Sequence, residues 1–399
     1  MTFKDLLIKP ELIDALQVQN ITQPTQIQCK AAKPVFDGRD MIACSSTGSG
    51  KTLAYLLPVL SSVDFAENTL QALVLVPTQE LASQVNKQIQ LLFDNMHSDA
   101  HTLMLIGDGN ITRQIESLKI KPVIAVATPS RAAQLIRMKK LKVHNVKTLI
   151  LDEADKLMDK TYLESIIFIR KSLMKRTQVL LFSASISNKT IKQANTITYN
   201  PVIYELSKEN KELIPKTIKH IFIISDRRER IETLRKIAKA VNSDKTMIFI
   251  NTKYDLEESL QKLQYHNYNV AALAGNIDKQ SKKKAVEDFQ NGRLQYLLAT
   301  DVAARGLQID HVSTVINVNL PEEPTEYLHR AGRCGRNNEQ GLCISIITEH
   351  TAGCINMFQN SSLCCIITEN ELNKIKKYQK AFNINIVQKR LYNGKIVSK

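Results

Sequence analysis

The stretch "SSTGSGKTLAYLLPVL", Ser45–Leu60, decides what kind of sheet this chain builds. The preceding "DMIACS" holds a short apolar run suited to a buried strand. The following "TLAYLLPVL" carries apolar side chains at helical spacing as far as Pro58. Strand, glycine-rich turn and helix are the arrangement a phosphate-binding loop needs. Backbone N–H groups of such a turn point inward at phosphate oxygens, and the helix N-terminus adds a favourable dipole. Gly50, Lys51 and Thr52 fit the pattern G-x-x-x-x-G-K-[ST], with Ser45 where the first glycine is usual. Lys51 would reach the β- and γ-phosphates of a nucleotide, and Thr52 would ligate Mg²⁺. The plainer reading, a flexible Ser/Gly turn ahead of a core helix, leaves the Lys-Thr pair unexplained.

Composition narrows the partners. The 399 residues suffice for two or three domains, and 43% hydrophobic content supplies a sizeable core. Lys+Arg 54 against Asp+Glu 39 gives a formal charge of +15, which suits a polyanion, most simply nucleic acid. No apolar run is long enough to span a membrane. The start, "MTFKDLLIKPELIDAL", is interrupted by Asp5, Glu11 and Asp14, unlike a signal peptide. The seven cysteines include no C-x-x-C pair. Reduced thiols and an intracellular location, nucleus or cytoplasm, are expected.

Two αβ-rich blocks follow one another. "QALVLVP", "PVIAVATP", "VKTLILDEAD" and "TQVLLFSAS" mark strands of the first. "KTMIFINT", "YNVAALAG", "LQYLLATD", "VSTVINVNLP" and "LCISIIT" mark strands of the second. Near-continuous apolar runs fit parallel sheets covered on both faces. The expected division is a first domain over residues 1–205, a charged linker over 206–216, a second domain over 217–388 and a basic tail over 389–399. The tail reads either as a solvated charge run or as a phosphate-contacting extension.

Acidic residues that directly follow an apolar strand lie at its carboxyl end, where open α/β sheets bind ligands. In "LILDEADKLMD", Asp152 could hold Mg²⁺ through water, and Glu153 could orient and deprotonate the attacking water. An acidic helix start is the structural alternative. In "YLHRAGRCGR", Arg330, Arg333 and Arg336 recur every three residues with glycines between, which suits a turn presenting guanidinium groups. Such groups could stabilise a phosphoryl-transfer transition state or bind nucleic acid alone.

With these motifs in order, the chain resembles the DEAD-box RNA helicases over almost its whole length. "DEAD" itself stands at Asp152–Asp155. "ITQPTQIQ" resembles the Q motif, which implies that Gln28 reads adenine and that Phe3 stacks on it. "SSTGSGKT" matches motif I, whose members lack the leading glycine. The match implies ATP contacts at Ser45, Ser46, Thr47, Gly48, Ser49, Gly50, Lys51 and Thr52. "PTQELA" and "TPSR" match RNA-contact motifs and bring in Thr78, Thr128 and Arg131, with Gly107 between them. "SAS" (Ser183–Ser185) stands for the Ser-Ala-Thr motif that, with Asp155, couples ATP turnover to strand separation. "IFINTK", "LAGN", "ATDVAARG" and "HRAGRCGR" add Thr252, Gly275, Thr300 and Arg305 on the RNA side, Gln308 at the ATP cleft, His329 as a coupling residue and Arg333 and Arg336 as arginine fingers.

The resemblance implies two RecA-like α/β domains with mainly parallel sheets in tandem, ATP and Mg²⁺ as cofactors, and RNA gripped through its phosphates and ribose. A monomer, with a protein activator as a possible partner, is expected. Some positions depart from the family: Gln79, Asp108, Ser130, Ala274, Ser185 and Gln308, and "DKQSKKKA" offers Lys279 and Lys282 in place of Q-x-x-R. The hydrolytic set Lys51, Thr52, Asp152, Glu153, Arg333 and Arg336 is intact. The leading expectation is an RNA-dependent ATPase and RNA helicase. The alternative is a weakly hydrolysing, ATP-dependent RNA clamp.

Overall fold

The computed structural model describes every residue except 46–47, 206–213, 274–276, 278, 305–308, 310–311, 336–338, 350–361 and 399, with the backbone alone at 279, 349 and 362–369. The chain divides into two compact units, Met1–Asn210 and Lys211–Lys399. The division falls inside the charged stretch expected to link two domains.

The first unit holds β1 (Met41–Cys44), β2 (Ala72–Leu75), β3 (Thr102–Leu105), β4 (Ile124–Ala127), β5 (Thr148–Asp152), β6 (Gln178–Ser183) and β7 (Val202–Glu205). They form one sheet in the order β3-β4-β2-β5-β6-β1-β7, and every pairing is parallel. The apolar runs are unbroken because both faces are covered. Successive residues of β2 feed different cores: Ala72 and Val74 join the cluster containing Phe3, Tyr55 and Phe93, while Leu73 and Leu75 join the cluster containing Leu135, Leu157 and Ile169. Helix Lys51–Ser62 carries Pro58 in its interior without ending there.

The second unit holds β8 (Ile218–Asp226), β9 (Thr246–Phe249), β10 (Val270–Leu273), β11 (Tyr296–Ala299), β12 (Thr314–Asn317), β13 (Gly341–Glu349), β14 (Ile386–Tyr392) and β15 (Lys395–Ser398). Their order is β10-β11-β9-β12-β13-β8-β14-β15. All pairings are parallel except the terminal hairpin β14/β15.

That hairpin corrects the expected tail. Lys389, Arg390 and Lys395 are strand residues of the second sheet and not a separate solvated run. Asn393 (φ 47°) and Gly394 (φ 72°) supply the two left-handed residues of a tight hairpin turn. Leu391 and Ile396 pack against the core cluster of β8, β9 and β12. The density of basic residues produced the impression of a tail, and the aliphatic residues among them let the same segment pair as strands.

Candidate ATP-hydrolysis site

In the first unit the expected ATP residues converge because their strands are neighbours. β5, β6 and β1 lie side by side, with Asp152 opposite Phe182 and Ser183 opposite Cys44 in the ladder. The loop after β1, the acidic motif after β5 and Ser183–Ser185 after β6 therefore emerge at one edge, the carboxyl end of the sheet.

Gly48 (φ 79°) and Gly50 (φ 88°) both adopt left-handed backbone in the loop. A Cβ at Gly50 would also sit 2.5 Å from Gln28 Nε2, so the glutamine side chain would have to shift to admit one. Gln28 is buried and spent on this junction: its Nε2 donates to the Gly50 carbonyl at 3.2 Å, and its Oε1 accepts from Thr25 N–H at 2.9 Å. Thus Gln28 ties the Q-motif helix (Gln26–Phe36) to the phosphate loop. Phe3 differs from expectation. It is 2% exposed and part of the first core cluster, so its ring offers no open face for a base in this conformation.

Lys51 opens the helix Lys51–Ser62 and donates from Nζ to the Ser45 carbonyl at 2.7 Å. Burial lowers its pKa, and the Asp152 carboxylate works against that shift. Ser45 Oγ is buried without a hydrogen-bond partner. Asp152 is buried; its Oδ2 accepts from Tyr55 Oη at 2.9 Å and its Oδ1 from Glu153 N–H at 2.9 Å. Burial pushes its carboxyl up to about 6, opposed by the Lys51 ammonium. Tyr55 stays a phenol donor, because burial and the adjacent Asp152 raise it well above its ordinary value.

The residues present fit a Mg²⁺–nucleotide complex. No cluster of three or more His, Cys, Asp or Glu among the described residues could cage a metal. Mg²⁺, however, is usually held by one or two carboxylates together with substrate phosphates. A buried carboxylate raised to about 6 and a nearby Lys51 parked on a carbonyl are both groups that an added metal and phosphate would satisfy.

Glu153 sits at φ 53°, left-handed backbone for a non-glycine residue. Its Oε2 pairs with Lys156 Nζ at 2.6 Å. Asp155 is bound into the SAS segment: Ser185 Oγ donates to Asp155 Oδ2 at 3.1 Å, while Asp155 N–H and Ser185 N–H both donate to Ser183 Oγ at 3.3 Å. The residues expected to couple the acidic motif to strand separation are thus joined directly. Tyr55 and Lys156 were not expected. Spacing holds the signal for both: Tyr55 lies one helical turn beyond Lys51, and Lys156 three residues beyond Glu153.

The expected RNA residues share a position rather than a chemistry. Thr78 caps helix Gln79–Asn95, accepting from Leu81 N–H at 3.2 Å, and Thr252 caps helix Lys253–Tyr265, accepting from Asp255 N–H at 3.1 Å. Thr300 Oγ1 accepts from Ala303 N–H at 3.3 Å, and Thr128 precedes helix Pro129–Arg137 without a side-chain cap. Each follows a strand, β2, β4, β9 or β11, at its carboxyl end. Arg131 differs from expectation: it is 7% exposed, and its guanidinium donates to the carbonyls of Gly107 and Gly109. It positions the Gly107–Gly109 loop from behind and is not itself displayed.

In the second unit, the three arginines part company. Arg330 is 1% exposed and inward-facing. Nε and one terminal nitrogen hold Asp301 at 2.7 and 2.5 Å, and the remaining N–H groups reach Asn317 Oδ1, the Asn319 carbonyl and Asn251 Oδ1. It clamps the ends of β9, β11 and β12 and presents nothing to a ligand. Arg333 is half-buried in the turn after helix Pro324–Ala331, whose last turn carries the half-buried His329. Ser46, Thr47, Ala274, Gly275, Arg305, Gln308 and Arg336 lie outside the described residues.

Comparison with known proteins agrees with this arrangement. The DEAD/DEAH box helicase profile matches residues 25–194, and the helicase conserved C-terminal domain profile matches residues 229–338. The chain is 35% identical to the DEAD-box ATP-dependent RNA helicase CshC of Bacillus cereus, over 86% of each protein. The chain belongs to the DEAD-box RNA helicase family. Another relative is the probable ATP-dependent RNA helicase YfmL of Bacillus subtilis, 36% identical over 82% of this chain and 85% of that protein. Among solved structures, S. cerevisiae Dbp5 bound to RNA and ADP BeF3 superposes with a TM-score of 0.84 at 27% identity, covering 98% of this chain and 95% of that one. The DEAD-box fold, two RecA-like units in tandem, is therefore shared. None of the four described cysteines is in a disulfide, and no described helix is long and apolar enough to cross a membrane.

Proposed function

We propose that this DEAD-box protein hydrolyses ATP in response to RNA and uses the cycle to separate short duplexes locally. The observation that carries the reading is the convergence of Lys51, Asp152, Glu153 and the Asp155–Ser183–Ser185 cluster at one sheet edge. Lys51 exchanges the Ser45 carbonyl for phosphate oxygens. Thr52 and Asp152 would hold Mg²⁺, which would neutralise charge on the phosphates. Glu153, released from Lys156, orients a water and accepts its proton as the γ-phosphoryl group is transferred. Arg333 and Arg336 stabilise charge in that transition state, with His329 coupling the two units. Thr78, Gly107, Thr128, Thr252, Gly275, Thr300 and Arg305 take RNA by phosphate and ribose, which gives little sequence preference. A bent grip on one strand is incompatible with a regular duplex, so closure of the units on ATP pries base pairs apart.

The test is RNA-stimulated phosphate release together with strand displacement on a duplex of about ten base pairs at fixed salt, since affinity depends on salt. Glu153→Gln should keep ATP binding and lose about 10²-fold or more in hydrolysis. Hydrolysis by Glu153→Gln at the parent rate would remove the assigned base, and ATP turnover indifferent to RNA would remove the coupling.

A further inference from the structure

The second unit contains a cavity that the ATP- and RNA-related residues leave unused. β14 joins β8 at Ile386↔His220, but β8 starts earlier, at Ile218. Ahead of that pairing the two chains part, and a cavity of about 450 Å³ opens between them. Ile218, Ile221, Phe382, Ile384 and Val387 give it apolar walls. Its charged lining is entirely cationic, consisting of Lys216, Lys219 and Lys389, and Asn383 and Asn385 add amides.

One lining group is unsatisfied. His220 is 5% exposed, and its Nδ1 lies 2.8 Å from Tyr327 Oη, but its Nε2 is buried without a hydrogen-bond partner. A buried polar atom left unpaired costs about 1–3 kcal/mol. Burial lowers the imidazole to about 4, so it is neutral near pH 7. Tyr327 remains a phenol, because burial raises it well above its ordinary value. His220 and Tyr327 are thus neutral neighbours, and the charge of the cavity comes from Lys216, Lys219 and Lys389.

We propose that this cavity binds a small amphiphilic anion: an apolar body fills the space between β8 and β14, and its acidic group meets Lys219 and Lys389. The size lies within the range of small-molecule sites, roughly 300–1,000 Å³ lined by apolar side chains with a few placed polar groups. Lys389 already donates to Ser398 Oγ at 2.8 Å, and its ammonium keeps further donors for the anion. A nucleic-acid backbone would use the lysines but would leave the apolar walls unmatched.

The test uses the full chain titrated calorimetrically with naphthalene-1-sulfonate, and with naphthalene-1-methanol as the uncharged control. One saturable site is expected for the sulfonate, with the alcohol at least about tenfold weaker, the effect of losing a charge-assisted contact. Val387→Trp fills the space from a 40% exposed position and should abolish binding. Lys219→Gln combined with Lys389→Gln should weaken it by about tenfold. Circular dichroism and ATP turnover of these variants should match the parent. No saturable heat, equal binding of the alcohol, or binding that survives Val387→Trp would each overturn the proposal.

Discussion

Arg330→Met should destabilise the second unit without touching nucleotide chemistry directly. Arg330 is 1% exposed, and its guanidinium makes hydrogen bonds to Asp301, Asn317, Asn319 and Asn251. Methionine matches much of the side-chain length but offers no donor. It strands the Asp301 carboxylate together with the acceptors of Asn317, Asn319 and Asn251. Removing one partner of a buried pair costs about 3–5 kcal/mol. The Asp301 side chain is 23% exposed, so water recovers part of the loss and the lower end, about 3 kcal/mol, is expected. For a unit of this size, that corresponds to a fall in melting temperature of about 6–12 °C. Calorimetry of the full chain should show the shift, and hydrogen exchange should place it at the carboxyl ends of β9, β11 and β12. Adding Asp301→Asn removes the stranded charge and should return about 1–2 kcal/mol. A loss below about 1 kcal/mol for the single variant, or a double variant as unstable as the sum of the singles, would refute the clamp.

Three further outcomes follow from the geometry. Gly50→Ala places a Cβ 2.5 Å from Gln28 Nε2 at φ 88°, so ATP affinity measured by fluorescent-nucleotide titration should fall at least about tenfold, with about 1–3 kcal/mol of backbone strain. Burial lowers His220 from 6.5 to about 4, so between those values the unfolded chain binds more protons than the folded one. Its contribution, up to about 3 kcal/mol, is present above pH 6.5 and lost as pH falls toward 4; urea midpoints across that window should flatten in His220→Phe. Truncation after Asn385 removes β14 and β15 with the packed Leu391 and Ile396, so the second unit should lose about 2–4 kcal/mol, and an unchanged unfolding midpoint would return these residues to a solvated tail.

The residues around Ser45–Thr52 and Asp152–Asp155 were legible from the sequence because their chemistry is local. A glycine turn that cradles phosphate, and carboxylates at a strand end, are specified by the few residues that form them. The buried parallel strands were legible for a related reason: a strand covered on both faces must be apolar through its middle, as β2 and β11 are. Side-chain direction was less accessible. Three-residue spacing groups Arg330 with Arg333, yet Asp301, Asn317 and Asn251 come from distant segments and draw Arg330 inward. Likewise, Arg131 turns from a displayed cation into a brace because the Gly107–Gly109 carbonyls lie beside it, and Phe3 is buried by a core assembled from six strands and several helices. At the C-terminus, basic residues mixed with aliphatic ones allow either a tail or a strand, and the open edge of β8 decides for the strand. Sequence determined by itself what each segment can do with its own backbone and neighbours. Which of two equivalent charges is buried, and which edge accepts another strand, depended on partners brought close only by folding, since hydrogen bonds and burial act over a few ångströms of space whatever the separation along the chain.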